Sequence, residues 1–424
     1  MIRLRLFLHA LGLLWMTTAA AAAFANSDFL VRSWRNEDGL PHSTINSILQ
    51  TRDGYLWLGT YVGLVRFDGV RFVQYSSSNL PELATDQVNY LFESRDGTLW
   101  IALKSGRLLA WKEGGARVVL PGDAASQPVA VMAQRADDVI WLQDATGALG
   151  RVTTNGVEYV FKPGHSSNRS SPGLTVDAEN QLWVSTGGGL KLWRDERLIS
   201  PGLDPLNGKP VEGLGRARDG AVWVYCDRRL WKVAAGKILA QIEAPKQLTG
   251  VAGMLEASDG RFWLGSGEGA LFCLNPGSHD WMEIPKSGFQ GLNRLLYEDH
   301  EGNIWRGGFG GGLTCIRPRI FTLHELKEDN FDRYARSVSC DQAGNVWAVL
   351  HNHTLSRIAA GTQDPEVWPK SDIPFETESL LVDHHGTLWV GAGGRHLYHF
   401  ENGSFVLILD LGGEATAINA LFED

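Results

Sequence analysis

Two histidine pairs have the residue types and spacing that come nearest to a metal site in this 424-residue chain. His351 and His353 are two residues apart, and residues two apart on a strand share a face, so their imidazoles could bind one metal ion. His384 and His385 are adjacent instead. Because polar turns commonly carry histidines, we interpret these residues as surface groups and predict no metal.

Motifs of nucleophilic, metal-dependent or phosphate-binding catalysis are absent from the sequence. It has no Gly-x-Ser-x-Gly elbow, no His-Glu-x-x-His motif and no phosphate loop with a lysine. The glycine-rich segment 307–312 is predicted to lie between two strands without a following helix, so it lacks the helix N-terminus that binds anions. We therefore expect neither enzymatic activity nor a cofactor.

A tryptophan repeat defines the elements that must position any site. Nine tryptophans recur at intervals of 40 to 43 residues: Trp57, Trp100, Trp141, Trp183, Trp223, Trp263, Trp305, Trp347 and Trp389. A period of about 42 residues that contains short strand-like segments and glycine turns is typical of the four-stranded blades of a β-propeller. Because all nine tryptophans occupy the same strand position, we predict that each indole side chain packs between neighbouring blades.

The first repeat shows how a blade forms from the sequence. Four short alternating runs lie between residues 45 and 75, and the steps Asp53-Gly54 and Asp68-Gly69 favour tight hairpins because glycine adopts positive φ. Nine repeats exceed the roughly eight blades of known rings. We therefore predict an all-β fold, with a seven-bladed β-propeller of four-stranded antiparallel blades at 26–318 and an incomplete second propeller at 319–424.

The ends of the first ring are predicted to meet in one blade. Residues 29–34 resemble an outer strand without a blade of its own, and we expect them to complete blade seven beside strands at 292–297, 303–308 and 312–317. Residues 320–324 are expected to begin the second propeller. The final residues 421–424 align with 296–299, before the next tryptophan of the repeat, so we expect a fragment of a longer protein or a nicked or frameshifted product.

Residues 1–25 match a secretory signal peptide. Arg3 and Arg5 precede the apolar run 6–15, and Ala23-Phe24-Ala25 fits a signal-peptidase site. An uncleaved membrane anchor is the alternative. No other segment approaches the roughly 20 apolar residues that a membrane-spanning helix needs.

The net charge argues against nucleic acid as a partner, and the cysteine content argues against a fold defined by disulfides. The formal charge is −9 and the chain has no basic run, so nucleic acid is not an expected partner. The four cysteines are few for an exported chain of this length: Cys226, Cys273, Cys315 and Cys340. Cys273 and Cys315 occupy equivalent strand positions and are predicted to be buried thiols, with a disulfide as the alternative.

The sequence motif of the repeat resembles that of a known family. The two-component regulator propeller repeat is similar to Glu37-Asp38-Gly39-Leu40-Pro41-His42-Ser43-Thr44-Ile45 together with residues 52–60 and 63–67, and a similar motif recurs at 298–305 and 311–313. Members of that family typically carry two seven-bladed propellers outside the cytoplasmic membrane. An immunoglobulin-like module, a transmembrane helix and a histidine kinase or diguanylate cyclase follow. The resemblance covers nearly all of the chain after residue 25 and implies a periplasmic sensor region, which in some branches recognises carbohydrate.

Candidate ligand-binding residues come from the turns between the second and third strand of each blade and from the connection into the next blade, which share one face of a propeller. Side chains there vary between repeats while the scaffold does not. An aromatic ring suits the apolar face of a sugar, and basic groups suit its hydroxyls or carboxylates. The selected residues are His42, Tyr61, Lys104, Asp227, Arg228 and Phe309. For each, an ordinary solvated turn residue is the competing interpretation.

The predicted function is that of a periplasmic ligand-sensing propeller region of a two-component-type receptor, which binds a small molecule or an oligosaccharide and signals through domains outside this chain. The alternatives are a protein-interaction scaffold and a propeller enzyme, either a lyase or a quinone-dependent dehydrogenase. Homodimer formation through the missing domains stays open. So does a membrane link, through either an absent C-terminal segment or an uncleaved signal.

Overall fold

The structure is a computed structural model. It describes residues 29–84, 87–112, 115–123, 126–163, 171–284, 292–318, 335–350, 353–360, 365–368, 376–401, 404–412 and 417–423. The predicted signal peptide at 1–25 and the strand predicted at 320–324 lie outside these residues. The chain divides into two compact units, Met1–Arg319 and Ile320–Asp424.

The described part of the first unit contains seven four-stranded antiparallel sheets. Strand β1 (Phe29–Trp34) comes first in the chain and belongs to the seventh sheet. Sheet one contains β2 (Ile45–Gln50), β3 (Leu56–Thr60), β4 (Gly63–Phe67) and β5 (Phe72–Tyr75), and sheet two contains β6 (Val88–Glu93), β7 (Leu99–Leu103), β8 (Leu108–Lys112) and β9 (Gly115–Leu120). Sheet three contains β10 (Val129–Gln134), β11 (Ile140–Asp144), β12 (Leu149–Thr153) and β13 (Gly156–Phe161). Sheet four contains β14 (Gly173–Val176), β15 (Leu182–Thr186), β16 (Gly189–Arg194) and β17 (Arg197–Ile199).

Sheets five to seven complete this unit. Sheet five contains β18 (Gly213–Arg216), β19 (Val222–Cys226), β20 (Arg229–Ala234) and β21 (Lys237–Glu243). Sheet six contains β22 (Val251–Glu256), β23 (Phe262–Ser266), β24 (Leu271–Leu274) and β25 (Trp281–Ile284). Sheet seven contains β26 (Leu292–Glu298), β27 (Ile304–Phe309) and β28 (Leu313–Pro318) together with β1. Three single-turn 3₁₀ helices lie in the connections, at Asn36–Asp38, Pro81–Leu83 and Asp204–Leu206.

The seven sheets form a closed ring of blades. The first strand of each sheet packs against the first strand of the next, from β2 through β6, β10, β14, β18 and β22 to β26, and β26 packs against β2. Strand β1 pairs antiparallel with β28, from Phe29 opposite Pro318 to Trp34 opposite Leu313. The predicted exchange of the N-terminal strand into blade seven is confirmed, as is the all-β propeller fold.

Turn chemistry explains why each repeat folds into hairpins. Gly54 and Gly97, three residues before their tryptophans, have φ of 88° and 81°. Asp138 and Asn180 replace glycine at this position and take φ of 62° in the same turn. Aspartate and asparagine tolerate the left-handed conformation, so the turn survives both replacements.

The repeated tryptophans pack between blades, as predicted. Trp57 lies in a core with Leu99 and Ile101 of the next blade, and Trp305 lies with Leu56 and Leu58 of blade one across the ring closure. Eight of the nine are buried, and Trp389 is partly exposed. Because a large aromatic ring buries much apolar area, these side chains hold adjacent blades together.

The indole N–H of each tryptophan needs an acceptor in this apolar setting, and the residue six positions earlier commonly supplies it. Trp57 Nε1 donates to Thr51 Oγ1 at 2.9 Å, and Trp100 Nε1 donates to Ser94 Oγ at 3.0 Å. Further tryptophans donate to an aspartate six residues earlier, among them Trp183 to Asp177, Trp305 to Asp299 and Trp389 to Asp383. The same residue begins the hairpin turn, so one position links turn and interface.

Blades three, five and six lack such an acceptor, because Arg135, Ala217 and Ala257 occupy the position. Trp223 donates instead to Glu256 Oε2 of the next blade at 2.9 Å. The buried indole N–H groups of Trp141 and Trp263 have no acceptor among the described residues.

A second repeated hydrogen bond joins five of the seven blades in the first unit to the blade that follows. The backbone N–H five residues before a tryptophan donates to the side chain at the end of the following inner strand. Arg95 N donates to Gln134 Oε1, and Ser258 N donates to Glu298 Oε1, each at 2.7 Å. His300 N donates to Gln50 Oε1 at 2.7 Å and thereby closes the ring from blade seven to blade one.

The described part of the second unit contains two four-stranded antiparallel sheets. They consist of β29 (Ala335–Cys340), β30 (Val346–Leu350), β31 (Leu355–Ile358) and β32 (Pro365–Trp368); β33 (Thr377–Val382), β34 (Leu388–Ala392), β35 (His396–Glu401) and β36 (Ser404–Asp410). Ser379 Oγ donates to the carbonyl of Ile418 at 2.7 Å, and His384 N donates to Glu423 Oε2 at 3.0 Å. Residues 417–423 therefore repeat the contacts of an inner strand, in agreement with the alignment of 421–424 to 296–299.

Two smaller expectations can be compared with the structure. Cys226, Cys273 and Cys315 are buried, Cys340 is exposed, and no disulfide joins any of these four described cysteines. Among the residues that the structure describes, no helix has the length and apolar character to cross a membrane.

Replacement of Ser94 by alanine is expected to destabilise the chain by about 1–3 kcal/mol, because the buried Trp100 N–H loses its acceptor. The Ala257→Ser variant offers a hydroxyl to Trp263 and is expected to add about 0.5–1.5 kcal/mol. Urea unfolding of the full chain, followed by tryptophan fluorescence, measures both changes.

The exposed Ala136 lies in the equivalent turn of blade three, so Ala136→Ser serves as the control and should change stability by less than about 0.5 kcal/mol. A loss of stability in Ala257→Ser would show that the sixth interface has no room for the hydroxyl and would contradict the acceptor role.

Candidate functional site

Three of the six predicted ligand residues form one aromatic cluster, which we define as His42, Tyr61 and Phe309. The His42 and Tyr61 rings stack with centroids 5.5 Å apart and planes inclined by 20°. The Phe309 ring meets Tyr61 edge to face at 6.2 Å. Tyr61 is 36% exposed and Phe309 is 48% exposed. The cluster therefore presents two aromatic rings to solvent at the end of the ring that carries the turns between second and third strands.

The turn between β3 and β4 fixes the direction of Tyr61. Thr60 Oγ1 donates to the Gly63 carbonyl at 2.8 Å and accepts from Val62 N at 3.2 Å. Gly63 has φ of 132°, and a Cβ there would lie 2.2 Å from the Tyr75 carbonyl oxygen. Only glycine fits this turn, because any side chain would displace β5.

Contacts across the ring closure hold His42 and Phe309 together. His42 Nδ1 accepts from Thr44 N at 2.9 Å, so the neutral imidazole carries its proton on Nε2. Gly310 N donates to Thr44 Oγ1 at 3.1 Å, and Gly312 N donates to the Ser43 carbonyl at 2.8 Å. The cluster thus depends on the meeting of blades one and seven.

The other three predicted residues lie on blades two and five. Lys104 is exposed in the turn after β7, where its backbone N–H donates to the Gln87 carbonyl at 2.9 Å. Asp227 and Arg228 form the turn after β19, with φ of 55° and 59°. Within the described part of the chain, no hydrogen bond or ring contact joins these residues to the aromatic cluster.

Asp227 is engaged by a residue that the sequence analysis did not identify. Lys209 Nζ donates to Asp227 Oδ2 at 2.9 Å, and both side chains are exposed. This hydrogen bond lowers the pKa of the Asp227 carboxyl and raises the pKa of the Lys209 ammonium. Sequence spacing gave no signal for the pair, since the two residues belong to different strand connections.

The Arg228 guanidinium binds backbone instead of standing free. It donates to the carbonyls of Leu248 at 3.1 Å, Pro245 at 2.9 Å and Lys246 at 3.2 Å. These bonds fasten the connection between blades five and six to the turn after β19. The geometry assigns this side chain a tethering contact, in addition to any contact with a ligand.

A buried arginine was also missed by the sequence analysis. Arg306 on β27 is 2% exposed, and burial lowers the pKa of its guanidinium to about 10. The repeats supply a signal that could have found it, because the equivalent positions in the other six blades of the unit are aliphatic: Leu58, Ile101, Leu142, Val184, Val224 and Leu264.

A cavity of about 510 Å³ opens where the inner strands β14, β18 and β22 begin. Its polar lining includes Ser171 and Glu212, beside Gly253 and Met254. Glu212 comes directly before β18 and was not among the predicted residues. Among the described residues, no group of three or more His, Cys, Asp or Glu side chains could hold a metal ion. Of the histidine pair at 351 and 353, His351 lies outside the described residues, and His353 Nδ1 lies 2.8 Å from the Thr377 carbonyl oxygen.

We expect Arg228→Ala to destabilise the chain by about 1–2 kcal/mol, since three hydrogen bonds to the 245–248 connection are lost. The neighbouring Arg229 makes only an exposed 3.5 Å ion pair with Glu243, so Arg229→Ala is the matched control and should stay within about 0.5 kcal/mol. Thermal unfolding of the two variants compares them. Equal stability of both would show that the Arg228 tether contributes nothing in solution.

Comparison with known proteins gives one family match. Residues 39–62 match the family described as Two component regulator propeller. No curated protein matches the chain. The matched segment contains His42 and Tyr61, so it includes two members of the aromatic cluster.

Solved structures resemble the chain over most of its length. The extracellular domain of a protein described as a hybrid two-component system from B. thetaiotaomicron is 18% identical, with a TM-score of 0.55, and the match covers 91% of this chain and 55% of that domain. The chain thus spans about half the length of that domain. A virginiamycin B lyase from Staphylococcus aureus is 15% identical, with a TM-score of 0.54, and the match covers 68% of this chain and 99% of the lyase.

At these identities the likeness shows the fold alone, and that fold carries both receptor domains and enzymes. The resemblance predicted from the sequence is confirmed by the family match at 39–62. The chain is a β-propeller protein that carries a two-component regulator propeller repeat.

Proposed function

We propose that the chain is the ligand-sensing propeller region of an exported, periplasmic receptor of the two-component type. The repeat at 39–62 and the similarity to an extracellular domain of a hybrid two-component system support this class of function. Signal output belongs to domains outside this chain.

The aromatic cluster is the proposed contact surface for the ligand, and its exposed rings are the observation that carries the proposal. Tyr61 and Phe309 are inclined by 73°, so together they offer two walls to a flat or weakly polar molecule. His42 adds an Nε2–H donor beside them. Aromatic faces with nearby hydrogen-bond donors suit a small molecule or an oligosaccharide, whose C–H groups cover the rings.

The cluster is also suitable as a sensor because it lies on the closure of the ring. Ser43 and Thr44 of blade one accept backbone hydrogen bonds from Gly312 and Gly310 of blade seven. A ligand that contacts both Tyr61 and Phe309 would add bonds across the same closure. Binding energy at this position therefore stabilises the closed ring.

A thermal-shift screen of the full chain against neutral and acidic oligosaccharides tests the proposal. A ligand that binds only the folded state adds about 2.7 kcal/mol at 100 times its Kd. We expect a saturable shift, and we expect Tyr61→Ala and Phe309→Ala each to weaken binding by about tenfold or more, equivalent to about 1.4 kcal/mol.

Val70 supplies the matched control for these variants. It is 80% exposed in the turn between β4 and β5, at the opposite end of blade one, so Val70→Ala should leave the ligand-induced shift unchanged. Saturable binding that survives both aromatic substitutions would move the site elsewhere on the ring. Conversion of the ligand to a new product would support the lyase alternative, and the absence of any ligand shift would favour a protein partner.

A further inference from the structure

A cleft of about 780 Å³ lies between blades two and three, on the end of the ring that carries the turns between second and third strands. This volume is in the range of small-molecule sites, roughly 300–1,000 Å³. Its lining includes the polar side chains of Asp123, Ser126, Gln127, Asp144, Tyr159 and Lys162. Neither Tyr159 nor Lys162 was identified from the sequence, and no member of the aromatic cluster lines this cleft.

Close backbone packing fixes one wall of the cleft. A Cβ on Gly106 would lie 2.5 Å from the Ser126 Cβ, and a Cβ on Gly122 would lie 2.6 Å from the Arg107 backbone nitrogen. Both glycines have positive φ, at 78° and 66°. The turn after β7 and the connection between blades two and three therefore meet without intervening side chains, so the cleft has a rigid boundary.

Asp144 contributes a buried carboxylate to the lining of the cleft. The residue is 5% exposed, and its Oδ1 accepts from Thr146 N at 2.8 Å, Thr146 Oγ1 at 2.6 Å and Ala148 N at 3.0 Å. In the described part of the chain no hydrogen bond reaches Oδ2. One oxygen thus holds the turn after β11, and the other is free to accept from a ligand.

Tyr159 provides an aromatic surface near this carboxylate. Tyr159 and Asp144 both line the cleft. The pKa of Tyr159 is raised by burial first and then by the negative charge of Asp144. The Tyr159 hydroxyl has no hydrogen-bond partner among the described residues. A carboxylate and an aromatic ring together are suited to a cation, which gains both an ion pair and a cation–π contact.

The chain itself places a cation at this ring. Lys162 Nζ lies 5.9 Å from the centroid of the Tyr159 ring. The Lys162 side chain is exposed and makes no ion pair with any described residue. Its ammonium approaches the ring and can leave it at little cost, since a solvated lysine loses only a weak contact.

We propose that this cleft binds a small organic amine, with its ammonium group between the Asp144 carboxylate and the Tyr159 ring, at the position that Lys162 approaches. A buried carboxylate opposes an anion, and Asp123 adds a second negative group to the lining. The apolar lining by Leu120, Pro121 and Pro163 covers the organic part of the amine. The site is distinct from the aromatic cluster, none of whose members lines the cleft.

Calorimetric titration of the full chain at constant ionic strength tests the site with tetramethylammonium and ethylammonium as probes. Tert-butanol serves as the uncharged counterpart and pivalate as the anionic one. We expect saturable binding of the ammonium probes, at least tenfold tighter than tert-butanol, and no binding of pivalate. Lys162→Met removes the competing ammonium and should tighten amine binding several-fold.

Variants of the two recognition groups separate binding from folding. Asp144→Asn keeps an Oδ1 acceptor for the turn but removes the charge, and it should weaken amine binding at least tenfold. Tyr159→Phe should retain binding through its ring, whereas Tyr159→Leu should lose it. Asp137 is exposed in the turn between β10 and β11, at the other end of blade three, so Asp137→Asn is the control that should leave binding unchanged.

Three outcomes would overturn the proposal. Equal affinity for tert-butanol and tetramethylammonium would show that charge is not recognised. Unchanged amine binding in a cooperatively unfolding Asp144→Asn protein would exclude the carboxylate. Loss of amine affinity in Lys162→Met would show that the lysine assists the ligand instead of competing with it.

Discussion

Burial of one tryptophan side chain per repeat is the constraint on which the rest of the structure depends. Each indole side chain fills the space between two blades, and its N–H needs a hydrogen-bond acceptor where water is excluded. The residue six positions earlier meets that need for Trp57 and Trp100 through the hydroxyls of Thr51 and Ser94. Because the same residue starts the hairpin turn, the position of the turn, the register of the second strand and the packing of the next blade are linked. A fixed period of about 42 residues follows from this linkage.

The scaffold leaves one end of the ring free to vary. Both repeated hydrogen-bond patterns, the indole bond and the backbone bond to the next inner strand, lie near the turns that precede the tryptophans. The turns at the opposite end share a different bond, in which a side-chain oxygen accepts from the backbone N–H two residues later. The side chains that follow in these turns differ from blade to blade. The aromatic cluster and the cleft between blades two and three are both at that end. The candidate binding residues therefore lie on turns whose backbone is repeated and whose exposed side chains vary.

Closure of the ring connects the fold with the candidate site. Strand β1 pairs with β28 along its whole length, and His300 donates to Gln50 between blades seven and one. The same junction brings Phe309 against Tyr61. A propeller whose ends are held by strand pairing and hydrogen bonds can place residues from both ends of one unit in a single surface. That arrangement is the physical basis of our proposal that a bound ligand stabilises the closed ring.

The sequence by itself determined the repeat, the four-stranded blades, the packing role of the tryptophans and the exchange of residues 29–34 into blade seven. These features follow from the spacing of the tryptophans and from local turn chemistry. Both the two-residue alternation of a strand and a glycine turn are set by neighbouring residues, so the sequence shows them directly. The sequence also predicted which end of the ring carries the candidate binding residues. It selected six residues there but had no means of grouping them.

Only the tertiary structure decided which of those residues meet. His42 and Tyr61 belong to the first repeat and Phe309 to the seventh, so the contact between Tyr61 and Phe309 depends on how blade one approaches blade seven. Arg228 has the same appearance in the sequence as a free turn cation, yet its guanidinium donates to three backbone carbonyls of the next connection. Hydrogen bonds to backbone depend on where a distant loop runs, and side-chain type carries no record of that path. Asp144, Tyr159 and Lys162 all belong to blade three, and the connection from blade two completes the cleft that they line.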